Sequence, residues 1–62
     1  MKLIMVTKKA YSDYLDNNLL ADANVQGDGM AVKQHRNQKG RLMAKAVYRD
    51  GCDPVFHIMA AD

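Results

Sequence analysis

Two hydrophobic periods divide the chain. In "KLIMVTKK", Ile4 and Val6 fall on one side of an extended backbone and Leu3 and Met5 on the other. A strand that is apolar on both sides is normally interior to a sheet, so the pattern predicts a first strand over Lys2–Thr7. The period then changes. Tyr11, Leu15, Leu19 and Ala23 recur every four residues, and Tyr14 joins their face. That is the stripe of an amphipathic helix. Ser12 is a natural N-cap for it, with Asp13 and Asp16 in the first turn, where the helix dipole favours negative charge. This helix should fade near Asn24, and "QGDG" (residues 26–29) reads as a turn by its glycines.

From Met30 the period is two. "NQKG" (Asn37–Gly40) has the form of a type I turn closed by a left-handed glycine, a common three-residue hairpin loop. Continued without interruption, that loop pairs Asn37 with Arg41, Val32 with Ala46 and Met30 with Tyr48. Leu42, Ala44, Ala46 and Tyr48 then share an apolar face with Met30 and Val32. Lys33, His35, Arg41, Met43, Lys45, Val47 and Arg49 share the other. A slip of one residue would turn Lys33 and His35 to the apolar side; the register that separates charge from core is preferred. "LMAKAV" also fits one face of a helix, but the strand reading is favoured. "RDGCDP" is a second turn, and "VFHIMA" (Val55–Ala60) is the last strand, with Pro54 just before it, where a missing N–H is tolerated. The expectation is one α+β domain over residues 1–62. Its order is β-α-β-β-β, with an antiparallel C-terminal meander and one helix packed on the sheet.

Size narrows what such a domain can do. A chain of 62 residues buries roughly 60% of its unfolded surface and is marginally stable. Its single cysteine, Cys52, makes no intrachain disulfide. His35, His57 and Cys52 lack the spacing of a zinc site, so neither metal nor cofactor is expected. "LIMV" is too short for a membrane span or for the core of a secretion signal, which points to a cytoplasmic protein with no membrane partner. A first strand apolar on both faces, with one helix to cover only one of them, suggests a homodimer at micromolar concentration.

Charge then sharpens the picture. Residues 30–49 hold six Lys or Arg and no acid, whereas all seven acids, every one an Asp, lie outside that stretch. A basic face is the electrostatic footprint of phosphate binding. It is also a common way to keep a sheet soluble. No aromatic residue accompanies the cations on their face, so nothing there can stack on bases. An enzyme is not expected, since a domain of this length has little volume for a pocket. The function class favoured is a small non-enzymatic regulator or inhibitor that binds a macromolecular partner. A protein with an acidic surface ranks first, and a nucleic acid bound by the basic hairpin 30–49 ranks second. Lys33, Arg41, Lys45 and Arg49 would supply charge, Met43 and Val47 apolar contact, and His35 a response to pH. By size alone the chain is analogous to the small bacteriophage proteins that block a host protein.

Overall fold

The computed structural model describes residues 2–60. β1 (Lys2–Val6) runs through Thr7 into α1 (Lys8–Asp16). Four strands follow: β2 (Ala21–Gly27), β3 (Met30–Arg36), β4 (Leu42–Arg49) and β5 (Val55–Ala60). Every neighbouring pair is antiparallel, and the sheet order is β1-β5-β4-β3-β2. The chain therefore forms an α+β domain with a C-terminal meander and one helix on one face. The segment 42–49 is a strand and not a helix.

The helix is displaced towards the N-terminus from where its stripe suggests. Thr7, not Ser12, is the N-cap, and its hydroxyl accepts from the Ala10 N–H. Thr7 is thus a cap and not the end of β1. Asp13 lies past the first turn and pairs with Lys9 one turn back, at 2.9 Å on the surface. Two asparagines end the helix: Asn17 Nδ2 donates to the Asp13 carbonyl and Asn18 Nδ2 to the Tyr14 carbonyl, both at 2.8 Å. Asparagine side chains that bond the backbone in this way compete with helix continuation. Leu19 is 90% exposed, so the four-residue stripe stops at Leu15. Residues 21–27, expected as helix and turn, form β2, whose seven residues all pair with β3. The two-residue loop Asp28–Gly29 joins them. A short isolated extension of the helix gains little in water, whereas pairing occupies the inward backbone groups of β2.

The "NQKG" loop forms as expected. Gly40 N–H donates to Asn37 O at 2.9 Å and Asn37 N–H to Arg41 O at 3.0 Å. Asn37 Oδ1 accepts from the N–H groups of Lys39 and Arg41. Just beyond the loop the register changes. Arg36 faces Leu42, but His35 faces Ala44, so Met43 is an extra residue in a β-bulge. From there Val32 faces Val47, not Ala46, and Met30 faces Arg49, not Tyr48. The bulge carries out the one-residue slip that charge separation disfavours. Lys33 and His35 consequently lie on the helix side, apart from Lys45, Val47 and Arg49.

The core is small. Tyr11 of α1 packs on Ala44, Ala46 and Phe56, with Val6, Tyr14, Leu15 and Ile58 around them. The Tyr11 and Phe56 rings lie 4.8 Å apart. Ala44 and Ala46 are fully buried and have no bulk of their own, so the two aromatics fill the space above the sheet.

Gly40 has φ +80°, and a Cβ built there meets no atom within 4 Å. The cost of a side chain is therefore conformational and not a clash. Gly40→Val should lower stability by about 1 kcal/mol or more, because β-branched residues resist the left-handed region. Thermal melting monitored by circular dichroism measures it, and an unchanged midpoint would contradict the role given to this loop.

Candidate functional site

The sheet has two unlike faces. On the side opposite the helix, one cross-strand row reads Val25, Val32, Val47 and Val55, each directly opposite the next. The adjoining row reads Ala23, Gln34, Lys45, His57 and Met5. Leu3 and Met59 pair at one end of this face and Met30 sits at the other. No helix covers it. Met5 is 72% exposed and Val25 50%. The valine row is a continuous apolar strip across four strands, with Gln34, Lys45 and His57 between it and Leu3 and Met59; exposed apolar strips mark interaction sites more often than scattered side chains do.

Charge borders the valines on both sides, with Lys45 in the row beside His57 and Arg49 opposite Met30. Lys45, Val47, Arg49, Val55 and His57 line a shallow groove of about 400 Å³ with Cys52 and Asp53. Among the described residues neither Lys45 nor Arg49 takes part in a salt bridge. His57 Nδ1 is covered and has no hydrogen-bond partner. Arg41 and Met43 lie further along, in a second groove with Leu19 and the hairpin loop. Of the residues singled out from the sequence, Lys45, Val47 and Arg49 come together; Arg41 and Met43 lie near the hairpin tip; Lys33 and His35 are elsewhere. Arg36 is tied to the loop, donating to Gly40 O at 2.9 Å and to Gln34 Oε1 at 3.3 Å. The cations of 30–49 are thus divided between faces and do not form one stripe.

His35 is buried at 4% exposure and carries a polar network on the helix side. Its Nδ1 lies 2.7 Å from Asp22 Oδ1, and its Nε2 meets the Tyr11 hydroxyl. The Asp22 carboxylate can only accept, so Nδ1–H donates to it, and Nε2 exchanges a hydrogen bond with the Tyr11 hydroxyl, which can both donate and accept. Burial pushes the Tyr11 pKa above its ordinary value, with Tyr48 and Asp22 adding to the effect. The hydroxyl therefore holds its proton and is no activated nucleophile, although the arrangement looks like a catalytic relay. A cavity of about 280 Å³ opens beside it, lined by Leu15, Asn24, Lys33 and Tyr48 with the three network residues. Sequence reasoning missed this network because His35 was expected on the solvent face. The bulge that turns it inward leaves only a weak trace in composition.

Among the described residues no helix is long and apolar enough to cross a membrane, and no group of three potential metal ligands is assembled. Comparison with protein-family models, curated proteins and solved structures finds no match.

The raised Tyr11 pKa gives a stability signature. Below the unfolded tyrosine value of about 10, both states keep the proton and the contribution is fully present. As pH rises through the folded value, the unfolded state loses its proton first and stability falls. Tyr11→Phe should cost about 1–2 kcal/mol at neutral pH by leaving His35 Nε2 unpartnered. Its loss on going from about pH 8 to about pH 11 should be smaller than in the parent. Urea unfolding at both pH values tests this; equal losses would contradict the assignment.

Proposed function

We propose that the chain is a small non-enzymatic regulator or inhibitor whose uncovered sheet face docks on a protein partner. The partner's matching patch is apolar with acidic groups at its edge. The observation that carries this reading is the row Val25–Val32–Val47–Val55 on an open face, with Lys45 and Arg49 beside it. In such an interface the valines form the desolvated centre, and the two cations that flank them steer the encounter and set the orientation. A neutral Tyr11, with its hydroxyl committed to His35, supports a structural role for the relay and a non-catalytic protein. Blocking a host protein remains an analogy from size.

The second reading is a nucleic-acid partner, favoured by the six cations of residues 30–49. It is the weaker one. Lys33 is on the helix side with His35, away from Lys45 and Arg49. Tyr11 and Tyr48 each pack on Phe56 on the helix side, leaving no Phe, Tyr or Trp in the valine row or the row beside it for bases to stack on.

Two measurements separate them. Immobilised protein should capture its partner from a cell lysate equally with and without nuclease, and Val47→Asp should abolish capture while leaving the circular dichroism unchanged. Met5→Ala, which removes an exposed side chain of the open face, should weaken it more than Lys33→Ala. Random single-stranded or duplex DNA should not bind at roughly physiological salt. Submicromolar DNA binding that weakens stepwise with each Lys or Arg change would favour the second reading instead.

A further inference from the structure

We propose that β2 is a self-pairing edge, through which two copies of the chain join into one continuous sheet of twice five strands. All seven of its residues are exposed, and α1, which packs chiefly on β5, reaches β2 only through the Tyr11–His35–Asp22 network on the sheet's helix side and leaves its outer edge uncovered. Folded proteins protect a sheet edge with lysines, prolines, bulges or a covering segment. β2, "ADANVQG", has none of these; its β3 pairing is unbroken from Ala21 to Gly27. β1, the opposite edge, is shorter and carries Lys2.

The direction of each backbone group on β2 follows from the ladder. Asp50 N–H donates to Gly29 O at 3.0 Å. On β3, therefore, Ala31, Lys33 and His35 direct their backbone groups to β4, and Met30, Val32 and Gln34 to β2. The partners of the latter are Gly27, Val25 and Ala23. By alternation the N–H and C=O groups of Asp22, Asn24 and Gln26 point away from the sheet and are free. Asn24 is the middle residue of β2.

A two-fold axis through Asn24 pairs the whole strand with itself. Asn24 faces Asn24 of the second copy, Asp22 faces Gln26, Ala23 faces Val25 and Ala21 faces Gly27. The three outward residues then supply about six backbone hydrogen bonds. The strand's one charge, Asp22, meets an amide and not a second carboxylate. This complementarity identifies the occupant as a second copy of the chain. An isologous contact of this kind closes and does not propagate. One strand pair is a small interface, so the dimer belongs in the micromolar range. It rests on the edge alone and not on the proposed docking face, although both uncovered faces come to lie on the same side.

The test is disulfide trapping in a Cys52→Ser background. Opposed Asn24 positions would sit about 5.5 Å apart at Cα, within the range a disulfide spans. Asn24→Cys should cross-link to a dimer under mild oxidation at about micromolar concentration. Gln26→Cys, whose two copies lie roughly 13 Å apart along the strands, should cross-link at least tenfold more slowly. Asn24→Pro removes an outward N–H and no intrachain bond. In sedimentation equilibrium it should behave as a 6.9 kDa monomer where the parent dimerises. A parent that stays monomeric up to about millimolar, equal cross-linking at both cysteines, or a dimer that survives Asn24→Pro unchanged would each overturn the proposal.

Discussion

One extra residue decides what each face of this sheet is. Met43 sits in the bulge between the Arg36–Leu42 and His35–Ala44 pairs. Side chains alternate along a strand, so one inserted position reverses every assignment on the paired strand beyond it. Because of it Val32 lies beside Val47 on the open side and His35 lies under Tyr11. Without it the valine row would be broken, and His35 would have solvent in place of Tyr11 and Asp22. The open apolar face and the buried polar network therefore share one cause.

The inward histidine is tolerable because both of its nitrogens are satisfied. A buried ring with one unpartnered nitrogen costs about 1–3 kcal/mol, a large fraction of the stability of so small a domain. Asp22 reaches it from the edge strand and Tyr11 from the helix, so three separate elements meet at one side chain. That contact also orients α1, whose other anchors are the aromatic packing of Tyr11 on Phe56 and the apolar fringe around it.

Much of the architecture is legible from local chemistry. The two-sided apolar run of β1, the "NQKG" loop and the placement of Pro54 before β5 are all short-range signals, and each leads to the observed element, although β1 lies at the sheet edge and not in the interior that its two apolar sides suggest, since only β5 pairs with it. The rest depends on long-range partners. Leu19 and Ala23 continue the helical spacing by coincidence, and only pairing with β3 explains why Ala23 is in a strand. His35 reads as a surface residue until the Tyr11 hydroxyl and the Asp22 carboxylate are brought to it. Among the candidate site residues, Lys45, Val47 and Arg49 follow from alternation within one strand. Val25 and Val55 belong to the same row only through the register of two further pairings, which a single sequence does not display.

The order of the strands also constrains how the protein can be made. β1 comes first in the chain, yet its neighbour in the sheet is β5, with Lys2 opposite Ala60. α1 likewise packs chiefly on β5. The first quarter of the molecule thus has no sheet to join until the last strand has been synthesised. During translation the meander can begin to assemble from β2 onward, while the N-terminal strand and helix wait with their apolar residues uncovered. Long-range pairings of this kind form late. Folding is then completed only once β5 has emerged from the ribosome, and until that moment the apolar side chains of β1 and α1 lack their partners.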